Sequence, residues 1–416
     1  MTETATRESA PEQPPERSVG RRILSGITEG NAAVVNLLAL VVALVVAALL
    51  IAIGDPETRA SAHYFTAAPV DTFRNAFSAI WTAYKALFEG AIFNPASASN
   101  GTLNGVFGPL SETLTVAAPL ILAGLSVGLA FRAGLFNIGA QGMMIMGVIV
   151  AAYVGFHWHL PAGLHLILAV LGGILAGAIW GALVGWLKAS TGAHEVITTI
   201  MLNYVALNFL GFLLSVQGFQ RPPYGQAISN VVDSSARYPH LLGSSMRVNL
   251  DILVALAAAW LVWWLLERST IGFQLRAVGA NQNAARTAGM NVARTYVVAM
   301  ALAGALAGLA GTAQILGTNP AVTNDIDAGI GFDGITVALL GRAKPGGTVL
   351  AGLLFGALRA GGVLMQSRTG TPVDLVTVVQ ALIVLFIAAP ALIRAIFRLR
   401  AVRGGVSTEL AKGWNG

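Results

Sequence analysis

Several apolar runs of about 20 residues constrain this chain more than any other feature of its sequence. One of them is 164–187, and at about 1.5 Å per residue a helix of this length crosses the hydrocarbon core of a membrane. Charged residues make up 11% of the chain, against about 25% in soluble domains. The period-two alternation of membrane strands is absent. The sequence therefore predicts an all-α, polytopic transmembrane helical bundle.

These runs predict about ten crossings of the membrane. The continuous spans are predicted at 31–53, 113–131, 140–156, 164–187, 196–216, 250–266, 296–317 and 373–397. Between Gly331 and Gly361 the apolar sequence is interrupted by GRAKPGG at 341–347. We therefore predict a short or broken helix near residues 331–347, a turn, and a return helix that ends near Gly361.

The ends of the chain differ from the spans between them. Residues 1–30 are rich in Glu, Arg, Pro and Thr without an apolar period, which predicts a disordered cytoplasmic tail. Residues 401–416 are predicted to be a cytoplasmic tail as well, and 31–400 the transmembrane domain. Within that domain, 71–92 has large apolar residues on one helical face. We expect an external amphipathic helix there, on the surface of the membrane or of the bundle.

A polar, basic loop at 267–295 separates two long apolar runs and is unusually long for a connection between spans. With ten crossings, both termini and this loop fall on one side, together with most of the 25 Lys and Arg residues. The positive-inside rule assigns that side to the cytoplasm. Ala284 and Ala285 would let a short helix lie close in a partner's groove, and Gly289 would end that helix. The alternative is an ordinary surface loop.

Four stretches of sequence carry a family resemblance when they are taken together. They are FRAGLFNIGAQG at 131–142, EVITTIMLNY at 195–204, LRAVGANQNAARTAG at 275–289, and GFDGITVALLG at 331–341 followed by PGG at 345–347. The combination resembles the permeases of bacterial ABC importers in the branched-chain amino acid, ribose and nucleoside group, above all the larger permease subunit of nucleoside importers. The likeness runs from Leu110 to Phe386.

This resemblance implies a set of partners in the bacterial cell membrane. A cytoplasmic ABC ATPase, a second homologous permease that completes a heterodimer, and an extracytoplasmic binding lipoprotein would work with this chain to import a small polar solute, a nucleoside. The chain has no G-x-x-x-x-G-K-[ST] phosphate loop, so ATP hydrolysis is expected on the separate ATPase. No enzymatic activity, cofactor or metal is expected on this chain. The net charge of +6 is attributed to cytoplasmic loops in contact with water and membrane lipid, and no nucleic acid is expected.

The resemblance also assigns contact with the ATPase to the 267–295 loop. The candidate coupling residues are Arg276, Gly279, Asn283, Ala284, Ala285 and Gly289. The family pattern there is E-A-A-x-x-x-G, and Asn283 stands where the pattern has Glu. A second departure lies in the family's G-A-E-G-Q stretch, where Gln141 and Met143 replace Glu and Gln. An amide in place of an acid puts the choice of solute in question.

Polar and aromatic residues in or beside the spans are the candidates for the solute pathway. A nucleoside is neutral, with a flat base and a hydroxyl-rich sugar, so amides, hydroxyls and aromatic faces suit it. The candidates are Asn137, Gln141, Asn203, Tyr204, Phe332 and Asp333. For the amides the alternative is a hydrogen bond between helices. For Asp333, an ionisable group in apolar sequence, the alternative is a helix N-cap.

Other classes of function stay open on sequence alone. A permease for ribose or another simple sugar would use the same amides and aromatic rings. An ion-coupled secondary transporter would use ionisable groups within spans, which are scarce here. An intramembrane enzyme would need paired catalytic groups within the spans, and a scaffold would not need polar residues grouped at span ends.

Overall fold

The computed structural model describes residues 32–243 and 245–397, and the predicted tails lie outside these ranges. The chain divides into two compact units. Among the described residues, those within 45–384 form the larger unit, and 32–44 with 385–397 belong to the smaller one. In the smaller unit the described residues belong to the first helix and to the last two helices.

The described residues are mostly helical. The α-helices are, in chain order, α1 (Ala32–Gly54), α2 (Pro56–Ala62), α3 (Pro69–Ala91), α4 (Pro95–Ala98), α5 (Leu103–Arg132), α6 (Ala140–His157), α7 (Leu164–Thr191), α8 (Glu195–Leu213), α9 (Asp251–Arg268), α10 (Thr270–Ala280), α11 (Gln282–Thr287), α12 (Val292–Thr312), α13 (Ile330–Leu340), α14 (Pro345–Thr369), α15 (Asp374–Ala388) and α16 (Pro390–Ile396). A π-helix, Ala313–Thr318, extends α12. The described ranges contain isolated β-bridges, such as Ile228 with Thr323, and no β-strand. The predicted helical membrane bundle is confirmed.

The predicted count of about ten spans is not confirmed. Among the described residues seven helices are long and apolar enough to cross a membrane, or eight if the bent pair α9 and α10 is one span. α13 and α15 are apolar but shorter. The 11 residues of α13 give about 16 Å of helix, against a hydrocarbon core of about 30 Å. The length of an apolar run alone does not distinguish a short helix inside the bundle from one half of a membrane-crossing helix.

The predicted break near residues 331–347 is present. α13 ends at Leu340, and a turn follows in which Arg342 and Ala343 have left-handed backbone conformations. α14 then begins at Pro345, whose ring suits the first turn of a helix, and it returns as far as Thr369, beyond the predicted end.

α5 lies at the centre of the larger unit, and most of its side chains are buried. Its apolar stretch is 83% buried, against 28% for α7 and 22% for α8. Side chains of α6, α9, α12 and α14 complete the apolar core around it. α7 and α8 are therefore less buried within this chain than α5, and side chains such as Ile179 and Phe212 mark their exposed sides.

Small residues bring α7 and α12 into backbone contact. Gly173, Gly177 and Gly181 recur along one face of α7. A Cβ atom added at Gly177 would lie 2.3 Å from the carbonyl O of Gly304, and one added at Gly181 would lie 2.1 Å from that of Met300. Close backbone approach of this kind holds helices together in lipid, where the hydrophobic effect between them is lost.

Gly177→Ala is expected to destabilise the folded protein, because backbone atoms of α12 occupy the space that its methyl group needs. Overpacking costs about 1–3 kcal/mol. The matched control is Gly172→Ala on the same helix, where the nearest atom to the new Cβ is a side-chain methyl, Val150 Cγ1, at 3.2 Å. Thermal unfolding in detergent should show the lower melting temperature for Gly177→Ala. Equal melting temperatures would contradict the close approach.

The segment predicted as an amphipathic helix at 71–92 is α3. Its large apolar side chains point away from this chain: Phe73, Phe77 and Trp81 are between 63% and 69% exposed. The opposite face packs on α14, where a Cβ added at Gly361 would lie 2.2 Å from the carbonyl O of Leu87. α3 therefore uses small residues for contact and leaves its aromatic face free, an arrangement that suits lipid.

Candidate functional site

The irregular stretch between α12 and α13, residues 319–329, runs alongside apolar helices. Its first part pairs with the long connection at 214–250, here called the cap segment. Further along, Asn324 and Asp325 lie beside α8, and Asp327 reaches the first turn of α6. Irregular backbone between membrane helices is tolerated where it lines a cavity or is buried in protein. This stretch is therefore a candidate part of a solute pathway.

A cavity of about 510 Å3 opens where this stretch meets α8. We call it the α8 groove, and it is lined by Leu207, Asn208, Gly211, Phe212, Asn324 and Asp325. Two amides, a carboxylate and an aromatic ring stand side by side there. Tyr204 lies one turn before Asn208, and Asn208 Nδ2 donates a hydrogen bond to the carbonyl O of Tyr204 at 2.8 Å. The predicted pathway residue Tyr204 is exposed and on the same side of α8 as the groove.

Asn137 and Asn203 hold the start of α6. Asn137 Oδ1 accepts a hydrogen bond from the N–H of Gly139 at 2.9 Å, and Asn203 Oδ1 accepts one from the N–H of Gly142 at 2.9 Å. Asn203 also donates from Nδ2 to the carbonyl O of Ile138 at 3.0 Å. Both side chains are buried. The N–H groups that open a helix lack partners within it, so these amides satisfy them and tie α8 to α6.

Gln141 is paired with an acid that stands out only in the structure. Its Nε2 donates to Oδ2 of Asp327 at 2.9 Å, and the two side chains are 9% and 6% exposed. A Cβ added at Gly331 would lie 2.4 Å from Gln141 Cα, so the N-termini of α6 and α13 meet here. Helix N-termini favour an anion. A Glu at position 141 would place a second carboxylate against Asp327, whereas the amide supplies a donor.

Asp333 is paired with Arg359 of α14. The distance from Arg359 Nη2 to Asp333 Oδ2 is 2.6 Å, and the two side chains are 26% and 19% exposed, respectively. Arg359 also donates to the carbonyl O of Ala328 at 3.1 Å. Ala328 has a left-handed backbone, with φ of 45°. Arg359 therefore compensates a charge in apolar surroundings and holds the chain where α13 begins, beside the exposed ring of Phe332.

Three of the predicted pathway residues, Gln141, Tyr204 and Asp333, thus contact or lie beside residues that the sequence did not single out. These are Asn208, Asn324, Asp325, Asp327 and Arg359. Part of the signal was present in the sequence. Asn208 follows Tyr204 by four positions, which places both on one helical face, and two acids stand shortly before an apolar helix.

The 267–295 loop is folded into short helices and packs against the end of α5. α9 bends by 73° into α10. A Cβ added at Gly279 of α10 would lie 2.3 Å from the carbonyl O of Arg132 and 2.8 Å from the N of Gly134. Arg132 Nε donates in turn to the carbonyl O of Ala343 at 3.0 Å, in the turn between α13 and α14. A chain of contacts therefore connects the loop to α13.

α11 is the short helix at the centre of the family pattern. Asn281 caps it: its Oδ1 accepts hydrogen bonds from the N–H groups of Asn283 and Ala284, both at 3.0 Å. Ala285 is buried against this chain's own residues, while Asn283 and Ala284 are exposed. Gly289 has φ of 83°, as expected of a glycine that ends a helix. The exposed face of α11 is the part that a partner could touch.

A second set of contacts links the loop to α7. Arg276 pairs with Glu267 at 3.1 Å within the loop itself. The hydroxyl of Tyr296 donates to Oε1 of Gln282 at 2.9 Å, and Lys188 Nζ lies 5.4 Å from the centre of the Tyr296 ring. The loop is therefore fixed to the helical bundle at two places.

Known proteins resemble this chain over most of its length. Residues 110–388 match the family described as branched-chain amino acid transport system / permease component. The chain is 41% identical to the guanosine ABC transporter permease protein NupP of Bacillus subtilis, over 73% of this chain and 88% of that one. It is 37% identical to the glucose ABC transporter permease protein TsgB13 of Haloferax volcanii, over 69% and 77%. It is 33% identical to the nucleoside ABC transporter permease protein NupB of Lactococcus lactis subsp. cremoris, over 80% and 90%. No solved structure matches the chain significantly.

The matched region runs from within α5 to the end of α15, so it contains the α8 groove, the Asp333–Arg359 pair and the 267–295 loop. The predicted resemblance is confirmed by the family match and by the relatives. This multi-pass membrane chain therefore belongs to the family of the branched-chain amino acid transport system permease component.

Proposed function

We propose that the chain is the nucleoside-translocating permease subunit of an ATP-driven importer in a bacterial cell membrane. The α8 groove carries this proposal. Its carboxylate and amides can bind sugar hydroxyls and base edges, and its Phe212 ring offers an aromatic face. The exposed ring of Tyr204, outside the lining on the same side of α8, offers a second one. Its volume of about 510 Å3 lies within the range of about 300–1,000 Å3 for small-molecule sites. The relatives named for guanosine and nucleoside transport support the same class of solute.

The groove is open along the exposed side of α8, and a second permease subunit would close it. Tyr204, Phe209 and Phe212 of this helix are at least 40% exposed. We propose that a homologous permease covers this side, so that the pathway lies between the two subunits. A binding lipoprotein would deliver the solute at the cap segment. Both termini and the 267–295 loop would face the cytoplasm, where the ATPase would contact α11.

The contacts of the loop support alternating access as the mechanism. Closure of the ATPase around ATP would move α11 and α10, and α10 bears on the turn at Arg132 and Gly134. Arg132 in that turn donates a hydrogen bond to the carbonyl O of Ala343. Motion of the turn would therefore reach α13 and the irregular stretch beside the groove. Solute sites formed by such broken helices open to one side and then to the other.

The proposal is tested by solute uptake. In cells that contain the complete transporter, labelled guanosine should enter with saturation, other nucleosides should compete, and depletion of ATP should stop uptake. An ionophore that collapses ion gradients without depleting ATP should leave uptake intact. Uptake that follows the ion gradient and survives without ATP would identify a secondary transporter instead.

A simple sugar is the second candidate solute, because the relative named for glucose transport is 37% identical over 69% of this chain. The same uptake assay distinguishes the two classes. Competition by glucose or ribose, with none by nucleosides, would replace the nucleoside in the proposal and leave the permease role intact.

Asn208→Ala and Asp325→Ala are each expected to raise KM for nucleoside uptake by about tenfold or more, because a hydrogen bond to a charged or amide group contributes about 0.5–3 kcal/mol. Ile179→Ala is the matched control, since Ile179 is exposed on α7 and lies outside the groove. KM is measured at equal amounts of chain in the membrane. An unchanged KM in both groove variants would remove the groove from the pathway.

A further inference from the structure

The irregular stretch at 319–329 places exposed and buried residues side by side. Asn324 and Asp325 are exposed and line the α8 groove, whereas the next two residues, Ile326 and Asp327, are 2% and 6% exposed. Ile326 belongs to an apolar cluster with side chains of α6 and α8. The position of the two groove residues therefore depends on how the two residues that follow them are anchored.

Gln141, in the first turn of α6, anchors Asp327. Its Nε2 donates a hydrogen bond to Asp327 Oδ2 at 2.9 Å. The carbonyl O of Asp327 accepts a hydrogen bond from the N–H of Ile330 at 2.8 Å, and a Cβ added at Gly331 would lie 2.4 Å from Gln141 Cα. The side chain of Gln141 thus holds the start of the turn into α13, and its backbone contacts the end of that turn. A shift of the stretch along α6 would break this hydrogen bond.

Gln141 itself does not line the groove. The lining comes from α8 and from residues 324–325, and Gln141 is 9% exposed with its amide nitrogen bonded to Asp327. A hydrogen bond to a carboxylate is about twice as strong as one between neutral groups. Its loss would leave a buried charge without its donor. Separation of Gln141 from Asp327 is therefore costly in the folded chain.

We infer that Gln141 and Asp327 are the positioning pair of the α8 groove: their hydrogen bond sets where Asn324 and Asp325 stand, and thereby the affinity for the solute. Neither member of the pair contacts the solute. The pair requires one donor and one acceptor, so an amide and a carboxylate serve in either order, whereas an apolar side chain does not. This role rests on the proposed function, in which the groove binds the solute.

Four variants test the positioning pair in the complete transporter. Gln141→Met and Asp327→Ala remove the hydrogen bond and should each raise KM for labelled guanosine by about tenfold or more, because the two groove residues move. Asp327→Asn keeps the acceptor. The double variant of Gln141→Glu with Asp327→Asn reverses donor and acceptor and keeps side-chain size and the number of charges. Both should hold KM within about twofold of the unaltered chain.

Gln380→Glu is the matched control. Gln380 is 4% exposed on α15, and its Nε2 lies 3.5 Å from the carbonyl O of Phe355. The change therefore buries an acid in the same membrane domain, away from the groove lining. It should leave KM unchanged even if less chain reaches the membrane, because KM does not depend on the amount of chain.

Three results would overturn the positioning role. The first is an unchanged KM in Gln141→Met and Asp327→Ala with only the maximal rate or the amount of chain reduced, which a merely structural pair would give. The second is a KM in Asp327→Asn as high as in Asp327→Ala, since the charge and not the hydrogen bond would then matter. The third is a raised KM in the double variant, since the amide of Gln141 would then act on the solute directly.

A thiol placed beside the pair tests the same role without any solute. The chain has no cysteine, so Asn324→Cys gives this chain one reactive site, at the groove. In membranes with the complete transporter, a small maleimide should label this chain faster by about threefold or more when Gln141→Met or Asp327→Ala is added, because the released stretch populates more open positions. The double variant should keep the original rate. Equal rates in all these chains would overturn the positioning role, whereas failure of the unaltered transporter to take up guanosine would count against the proposed function alone.

Discussion

Gly279→Ala is expected to reduce coupled transport by about 10- to 100-fold while the chain still reaches the membrane. The new Cβ would lie 2.3 Å from the carbonyl O of Arg132 and 2.8 Å from the N of Gly134. Both are backbone atoms that cannot rotate away, so α10 must move off the turn that ends α5. Overpacking costs about 1–3 kcal/mol, and each 1.4 kcal/mol changes an equilibrium by about tenfold.

The measurement is uptake per amount of chain in the membrane, together with stimulation of the ATPase by solute in proteoliposomes. Gly346→Ala is the matched control. Gly346 lies in the first turn of α14, and no atom lies within 4 Å of the Cβ that would be added there. Unchanged uptake and unchanged stimulation in Gly279→Ala would show that this contact does not transmit the motion of the ATPase.

The same reasoning separates Gly279 from Gly289, the glycine that the family pattern draws attention to. No atom lies within 4 Å of a Cβ added at Gly289, although its φ of 83° is left-handed. A substitution there strains the local backbone by about 1–2 kcal/mol and pushes on no neighbour. The sequence pattern marks the residue that ends α11, whereas the residue that bears on the bundle becomes visible only when both backbones are placed.

The class of the fold was predictable because it depends on local features. The length of the apolar runs predicts membrane helices, and the GRAKPGG interruption predicts the turn between α13 and α14. The number of spans was not predictable in this way. An apolar run of 11 residues, the length of α13, can be half of a crossing or a short helix inside the bundle, and only its packing decides between them.

The candidate site was visible in part, for the same reason. Gln141 and Asp333 stand out because each is polar within apolar sequence. Their partners are distant in the chain: Asp327 lies 186 positions after Gln141, and no local pattern encodes such a pair. The α8 groove depends on the irregular stretch at 319–329 folding against α8. The sequence leaves this stretch as a connection between two predicted apolar segments, but it does not show which helix the connection packs against.

Arg359→Gln is expected to destabilise the bundle, because it leaves the carboxylate of Asp333 largely buried without its counter-charge. The two groups lie 2.6 Å apart, and their side chains are 26% and 19% exposed. Removal of one partner of a buried ion pair costs about 3–5 kcal/mol, and partial access of water lowers this to about 2–3 kcal/mol here. Asp333→Asn should cost less, because Arg359 keeps its hydrogen bond to the carbonyl O of Ala328.

The coupling between Asp333 and Arg359 is measured by comparing Arg359→Gln, Asp333→Asn and the double variant in denaturant or thermal unfolding. We expect the double variant to be more stable than the sum of the single effects predicts, by about 1–2 kcal/mol. The exposed pair of Arg276 and Glu267, at 3.1 Å with side chains 37% and 46% exposed, is the matched control and should show less than about 1 kcal/mol. If the two single effects simply add, the ion pair does not hold α13 to α14.

Uptake should stay low in the double variant even when stability returns, because the hydrogen bond that fixes Ala328 at the start of α13 is lost with Arg359.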